Sequence, residues 1–268
     1  MKRNLAVIGV GNMAKAIING IISSDLGVGN IYLYDKNVEA FNVFSSMDGF
    51  VLSPDIGAAV SNSDCILLSV KPQNYQEILN VIKKVPGHEK KLFISIGAGI
   101  TTESVSEALS GAIVIRVLPN LPITIGLGVS VVCKNEKASS EDFLFVRSVF
   151  DAAGSTFVID ESEMNRMIGV TSSSPAYVFK FIDSICKGAE AQGLDGTSLL
   201  QTVCDMVIGS ARLLRDSGES PESLISKVAS KGGTTERALA KLEDGDIENV
   251  ISAAMKACTS RADELGNN

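Results

Sequence analysis

Short runs of apolar residues recur through the first part of the chain, and stretches with helical spacing separate most of them. Examples of the helical stretches are Met13–Ser23 and Tyr75–Lys84. Continuous apolar strands that alternate with helices are typical of a parallel sheet covered on both faces. The pattern therefore predicts a doubly wound α/β sheet. The predicted strands lie at Leu5–Val10, Ile31–Asp35, Cys65–Val70, Leu92–Gly97 and Ala112–Val117.

Two further strand-like runs, Gly128–Lys134 and Ser155–Asp160, follow with a helix-like segment at Glu141–Ala152 between them. After Asp160 we find no apolar run of comparable strength. We therefore expect the sheet to end near Asp160, and we assign residues 1–160 to the first domain.

Helical spacing dominates the sequence after residue 160. Ser174 and Pro175 indicate a helix start, with Ser174 as the N-cap and Pro175 at the first helical position. The helix that follows is apolar on more than one face. Further helices are predicted at Leu199–Leu214, from Ser220–Pro221 onward, and at Asp246–Leu265.

A helix that is apolar nearly all round must be buried, and a helical domain of about a hundred residues has little core for several of them. We therefore expect residues 161–268 to form an all-helical domain that binds the substrate and holds copies of the chain together. A compact monomeric bundle is the alternative.

The first predicted strand runs directly into a GxGxxA sequence that ends at Ala14. In dinucleotide-binding folds the first glycine permits a tight turn, the second lets the backbone approach a pyrophosphate, and the third position packs helix against strand. An acidic residue ends the second strand, where a ribose-binding carboxylate is expected. This context predicts a Rossmann-type nucleotide site, for nicotinamide rather than flavin. Its predicted residues are Gly9, Val10, Gly11, Asn12, Met13 and Asp35.

Composition and charge disfavour several other classes of protein. The 268 residues carry a net charge of −7, which argues against a nucleic-acid partner. The five scattered cysteines contain no CxxC pair, so we expect neither a metal site nor a disulfide framework. We see no signal peptide or membrane span, and we expect a cytoplasmic protein. His88, the single histidine, lies in the turn-like PGHEKK; we expect an exposed loop residue, which disfavours a histidine-dependent hydrolase.

Six segments resemble, in order, the motifs of the pyrroline-5-carboxylate reductase family: GVGNMA, SVKPQ, SIGAGIT, RVLPNLP, GVTSSSPAYVF and SKGGTTERAL. The resemblance covers nearly the whole chain. It implies a nucleotide-binding domain followed by a helical domain that forms a dimer or a larger ring. It also implies that the chain reduces 1-pyrroline-5-carboxylate to L-proline with NADPH or NADH, as the last step of proline biosynthesis.

The same resemblance implies the site residues. In the family the segment that matches SKGGTT binds the carboxylate of the cyclic imine, and the position of Thr235 forms a hydrogen bond to the imine nitrogen. Backbone N–H groups at a helix start suit that carboxylate, because they are unpaired and lie at the positive end of the helix dipole. The implied substrate residues are Ser230, Gly232, Gly233, Thr234 and Thr235, with Thr235 catalytic, and the further cofactor residues are Val70, Lys71, Pro72, Ala98 and Asn120.

Three positions depart from the family pattern. Lys231 stands where proline is usual, Leu121 where threonine is usual, and Ser172 where glycine is common. These departures leave a related cyclic imine open as the substrate. A nucleotide-binding oligomer without catalysis is a second alternative, and a third is a β-hydroxyacid dehydrogenase in which Lys180 or Lys187 acts on a substrate hydroxyl.

Two neighbouring charges bear on the choice of cofactor. Asp35 would accept hydrogen bonds from the ribose 2′-hydroxyl of NADH and would repel the 2′-phosphate of NADPH. Lys36 could pair with that phosphate, but an exposed ion pair contributes only about 0 to 1 kcal/mol. We therefore expect NADH to be used at least as well as NADPH.

Overall fold

The computed structural model of the chain describes residues 2–24, 26–194 and 196–266. They form two compact units. The first unit holds the residues up to Ser173 and those from Met255 onward, and the second unit is Ser174–Ala254. The domain boundary after residue 160 stays a prediction.

An eight-stranded sheet forms the centre of the first unit, in the order β3-β2-β1-β4-β5-β6-β7-β8. The seven predicted strands are confirmed. The added strand, β3, is a three-residue edge strand, too short to produce a recognisable apolar run. The strands are β1 (Arg3–Ile8), β2 (Val28–Tyr34), β3 (Phe50–Leu52), β4 (Cys65–Leu68), β5 (Leu92–Ser95), β6 (Ile113–Leu118), β7 (Gly128–Lys134) and β8 (Gly154–Val158).

The last two strands run opposite to the others. Neighbouring strands pair in parallel throughout the sheet except β6 and β7, which are antiparallel. Between them lies only the short segment with the 3-10 turn Leu121–Ile125. A parallel neighbour would require a crossover of a dozen or more residues, so this short connection reverses the chain.

Among the described residues up to Ser173, six α-helices follow or cover these strands. Alternate residues of β1 enter two different layers: Leu5 and Val7 pack in the cluster with Ile17 of α1, while Ala6 and Ile8 pack with Ile56 of α2. This alternation explains why the central strands are apolar at every position. The helices are α1 (Asn12–Ile22), α2 (Ile56–Ser61), α3 (Tyr75–Ile82), α4 (Thr102–Ala108), α5 (Ser140–Asp151) and α6 (Glu161–Met167).

The predicted helices after residue 160 are confirmed, with one correction at the start of the first. Ser174 is not an extended N-cap but the first residue of its helix. A π-helical turn, Ile168–Ser172, precedes it, and the Ser173 N–H donates to the Ile168 carbonyl at 2.8 Å. The helices are α7 (Ser174–Glu190), α8 (Leu199–Ser217), α9 (Pro221–Val228), α10 (Thr234–Asp244) and α11 (Ile247–Gly266).

The expectation that His88 is solvent-exposed was wrong. Its side chain is buried in a short 3-10 turn, and Nδ1 lies 2.8 Å from the Val85 carbonyl oxygen. This bond back onto the preceding backbone turns the ring inward, although the surrounding sequence is polar. The imidazole therefore caps a turn and does not line the nucleotide cavity described below.

The second unit exposes many large apolar side chains. Phe179 of α7 is 55% exposed, Leu200 of α8 60% and Val250 of α11 63%. Across the described ranges, no helix combines the length and apolar character needed to span a bilayer.

Candidate active site

The turn between β1 and α1 is built for close approach of a ligand to the backbone. Gly9 has φ +91°, and a Cβ there would overlap the Ser69 carbonyl oxygen and lie 2.8 Å from Val70 Cγ1. At Gly11, the N-cap of α1, an added Cβ would meet no atom within 4 Å. Within the described chain no side chain caps this helix, so the N–H groups of its first turn are available to an anion.

A cavity of about 370 Å³ lies at this turn, at the carboxyl ends of β1, β2 and β4. In an open α/β sheet this edge is where ligands bind. Of the predicted cofactor residues, the cavity brings together Gly9, Gly11, Asp35, Val70 and Lys71. The other predicted residues, Val10, Asn12, Met13, Pro72, Ala98 and Asn120, are not among those that line it.

Asp35 is fixed at the end of β2 by two backbone bonds. Its Oδ2 accepts the Val10 N–H at 2.7 Å, and its Oδ1 accepts the Asn37 N–H at 2.8 Å. A carboxylate has about four lone-pair sites, so this half-buried side chain can still accept hydrogen bonds from ribose hydroxyls. Lys36 is exposed, and its Nζ lies 3.0 Å from Glu77 Oε1. At this rim the Asp35 carboxylate is therefore bound by backbone N–H groups, whereas the Lys36 ammonium pairs with Glu77.

The turn and cavity fit a nicotinamide dinucleotide. The space in front of Gly11 and the uncapped start of α1 suit a pyrophosphate, and the Asp35 carboxylate suits the ribose. The Asn120 side chain links two backbone segments. Its Oδ1 accepts the Val129 N–H at 2.8 Å, and its Nδ2 donates to the Thr171 carbonyl at 3.1 Å. Its contact with the cofactor stays a prediction.

The SKGGTT segment lies in the second unit and joins α9 to α10. Gly232 has φ +74°, a conformation that favours glycine. The Gly233 N–H donates to the Ser230 carbonyl at 2.9 Å and closes a tight turn. A Cβ on Gly233 would lie 2.6 Å from Ser230 Oγ. The positive φ of Gly232 favours glycine, and so does the close backbone approach at Gly233, where an added Cβ would lie 2.9 Å from the Ser230 carbonyl oxygen.

The start of α10 offers the donors that a carboxylate requires. Gly233 is its N-cap and supplies no side-chain acceptor, and no side-chain cap is found among the residues described. The Glu236 carboxylate accepts the Gly232 N–H at 2.8 Å, which stabilises the turn. Thr234 and Thr235 occupy the first two helical positions, with Thr235 half-buried and Thr234 exposed. The Lys231 side chain is exposed.

Residues 161–265 match the family described as pyrroline-5-carboxylate reductase dimerisation, and residues 4–99 match the family described as NADP oxidoreductase coenzyme F420-dependent. The pyrroline-5-carboxylate reductase of Aquifex aeolicus is 31% identical over 262 residues, which cover 97% of each chain. That of Haemophilus influenzae is 32% identical over 264 residues, again covering 97% of each. The chain belongs to the pyrroline-5-carboxylate reductase family.

A solved structure agrees with this assignment. The 1-pyrroline-5-carboxylate reductase of Streptococcus pyogenes superposes with a TM-score of 0.89 at 26% identity, over 98% of this chain and 99% of that one. The chain is thus an oxidoreductase that acts on a C=N bond and reduces 1-pyrroline-5-carboxylate to L-proline with a nicotinamide cofactor. Because residues 161–265 match the dimerisation family, the chain is a homo-oligomer. Association between copies explains the exposed apolar side chains of the second unit.

The two lysines considered for a dehydrogenase reaction form ion pairs on the surface of their own helix. Lys180 and Lys187 are exposed, and both contact Asp183 on the same helix, at 3.2 and 2.7 Å. The bond to Asp183 raises the pKa of Lys187 above its usual value. A lysine that removes a proton from a hydroxyl needs a lowered pKa, so this pairing disfavours the dehydrogenase alternative.

Sequence reasoning missed a buried polar cluster beside the nucleotide-binding sheet. Arg116 of β6 is 1% exposed, and its Nη2 donates to Asn165 Oδ1 at 2.7 Å, with Glu161 Oε1 3.5 Å from Nη1. Burial lowers the pKa of this guanidinium, and Glu161 opposes that effect. The sequence does contain an indication of this cluster, because an arginine stands inside the apolar run AIVIRV. A buried charge requires polar partners nearby.

Proposed function

We propose that the turn Ser230–Gly233 and the start of α10 hold the substrate carboxylate, with Thr235 bound to the imine nitrogen. The observation that supports this most is the uncapped start of α10 behind a glycine turn, which presents backbone N–H groups at the positive end of the helix dipole. The hydroxyls of Ser230 and Thr234 add donors from side chains next to that turn.

Bound reduced nicotinamide supplies the hydride, which adds to the carbon of the C=N bond. An iminium ion is already electrophilic, so the chain has no need of a strong base, and much of the rate comes from positioning. The Thr235 hydroxyl keeps the ring nitrogen oriented by one hydrogen bond while that nitrogen becomes an amine.

Substitution of Thr235 tests this role. Thr235→Ala should lower kcat with 1-pyrroline-5-carboxylate by about thirtyfold or more, because the lost transition-state hydrogen bond contributes on the order of 2 kcal/mol. Cofactor affinity, measured by calorimetry, should change much less. Thr235→Ser keeps the hydroxyl and should restore most of the turnover. Wild-type kcat in Thr235→Ala would remove Thr235 from the mechanism.

For the cofactor, we propose that NADH is used at least as well as NADPH. Support comes from the fixed carboxylate of Asp35 and from the pairing of Lys36 with Glu77, which gives this cation a partner other than a 2′-phosphate. The other predicted contacts, from Val70, Lys71, Pro72, Ala98 and Asn120, belong to the same proposal.

We also propose that the enzyme works in the cytoplasm. No two of its cysteines form a disulfide in the described structure, and Cys65 and Cys133 are buried in the first unit. Such cysteine usage is typical of a reducing compartment. Fractionation of cells that express the tagged chain checks this proposal.

A further inference from the structure

The carboxylate of Glu161, at the start of α6, contacts both helix α4 and strand β6, which are far from it in sequence. Its Oε1 accepts the backbone N–H of Thr102 at 2.7 Å, and its Oε2 accepts the Thr102 hydroxyl at 2.5 Å. Arg116 of β6 lies on its other side, with Nη1 3.5 Å from Oε1. One carboxylate therefore binds the first residue of α4 and faces a buried cation.

The segment held in this way is Ile96–Thr101, which leads from β5 into α4. Its far end is Thr101, the N-cap of α4, whose hydroxyl accepts the Ser104 N–H at 3.0 Å. Within the segment, Gly99 packs against α11 so closely that an added Cβ would lie 3.0 Å from the Gly266 nitrogen. The backbone has little freedom on that side, and Glu161 restrains the other.

The residue that holds Thr102 is a carboxylate because it also faces the buried guanidinium of Arg116. The guanidinium is 1% exposed and contacts the neutral side chain of Asn165, which in turn donates to Asp263 Oδ1 at 2.7 Å. Glu161 is the carboxylate in direct contact with Arg116. A buried cation without a counter-charge is strongly unfavourable, so the contact with Arg116 directs the Glu161 carboxylate inward.

We propose that Glu161 is a positioning residue for the cofactor. Through Thr102 it fixes Ile96–Thr101 at the carboxyl end of β5, and so determines where the backbone around Ala98 meets the cofactor. The inference rests on the proposed cofactor contact of Ala98. Glu161 itself touches neither substrate nor cofactor.

The test compares two identical substitutions on one helix. Glu161→Gln keeps the side-chain size but loses the charge and one of the two acceptors. Glu163→Gln is the matched control, since the Glu163 carboxylate is exposed and pairs with Arg166 of the same helix, at 3.6 Å. Calorimetry with NADH and with NADPH on the substrate-free enzyme should give a Kd raised about tenfold in Glu161→Gln and unchanged in Glu163→Gln.

Steady-state kinetics and hydrogen exchange separate positioning from loss of structure. In Glu161→Gln, kcat at saturating cofactor and KM for 1-pyrroline-5-carboxylate should stay near wild type, while amides of residues 96–103 exchange faster. Thr102→Ser, which keeps both donors, should retain wild-type affinity. Thr102→Val, which loses the hydroxyl, should weaken it and serves as the second variant if Glu161→Gln does not fold.

Each result has one meaning. Equal Kd values for wild type and for both Glu161→Gln and Thr102→Val would overturn the positioning role. Equal losses in kcat, substrate KM and cofactor Kd would also overturn it, because they indicate a general structural defect. Failure of the wild-type enzyme to bind either nucleotide would instead contradict the proposed cofactor site.

Discussion

At the scale of single residues, the choice of cofactor depends on Asp35. Its carboxylate is held by two backbone N–H groups at the rim of the nucleotide cavity. Asp35→Ser should therefore raise the ratio of kcat/KM for NADPH to that for NADH, by about tenfold, because repulsion of the 2′-phosphate is removed. Measuring both constants for wild type and variant decides the matter. A wild-type preference for NADPH of about tenfold or more would show that Asp35 does not control the choice.

A second variant distinguishes the two charges at that rim. Glu77→Gln leaves Asp35 in place but frees Lys36 from its exposed ion pair. Since such pairs contribute about 0 to 1 kcal/mol, the same ratio should rise by about fivefold at most. A larger effect from Glu77→Gln than from Asp35→Ser would assign the choice to Lys36.

At the scale of elements, the start of α5 contains an interaction that depends on pH. Ser139 caps the helix, and the Asp142 carboxylate accepts from the Ser139 N–H at 3.2 Å and from Arg3 Nη1 at 2.7 Å. Burial alone would raise the pKa of Asp142, but hydrogen bonds from Ser139 and Arg3 prevail and lower it. A carboxyl whose pKa is lowered in the folded state stabilises that state above its ordinary pKa.

We therefore expect Asp142→Asn to lower the free energy of unfolding by about 1 kcal/mol at neutral pH. The difference should shrink as the pH falls below about 4, because the wild-type carboxyl is then protonated too. Urea unfolding followed by circular dichroism, at neutral pH and in acid, measures it. Glu141→Gln is the control: Glu141 also contacts Arg3, at 3.1 Å, but is 85% exposed and should contribute little. A difference that grows in acid would contradict the assignment.

Features set by residues close together in the chain were predictable from the sequence. Strand direction and side-chain contacts between residues far apart in the chain were not. The β1–α1 turn follows from an apolar run, two glycines and a helix within a few residues. The reversed direction of β7 depends on the length of the connection after β6, which periodicity does not report. The bond from Thr102 to Glu161 joins residues 59 positions apart, and no local pattern pairs them.

The same division holds within the candidate site. Gly9, Gly11 and Asp35 were found because a strand–turn–helix motif carries its own spacing, and the structure brings them to one cavity. His88 was misjudged because polar neighbours suggested exposure, whereas a single bond to the Val85 carbonyl turns the ring inward. The role of Thr235 came from family resemblance and stays a prediction.

At the scale of the whole molecule, the distribution of apolar surface separates the two units. Paired layers of buried side chains cover the sheet of the first unit. In the second unit, Val203 is the one side chain that is both apolar and buried among the residues described, while many large apolar side chains are exposed. A single copy of this unit leaves much of its apolar surface in water, which is unfavourable by about 25 cal/mol for each Å². Association through this unit removes that surface from water.

Two phenylalanines with the same exposure test where the association occurs. Phe179 of α7 is 55% exposed and lines a groove of about 630 Å³ with Leu199 and Leu200, whereas Phe157 of β8 is 56% exposed in the first unit. Phe179→Glu should weaken self-association at least about tenfold, because a charge buried in an apolar interface is unfavourable by more than 1.4 kcal/mol. Phe157→Glu adds the same charge and should leave the assembly unchanged. Light scattering at micromolar protein measures both: a wild-type monomer, or dissociation by Phe157→Glu alone, would mean that the second unit does not hold the subunits together.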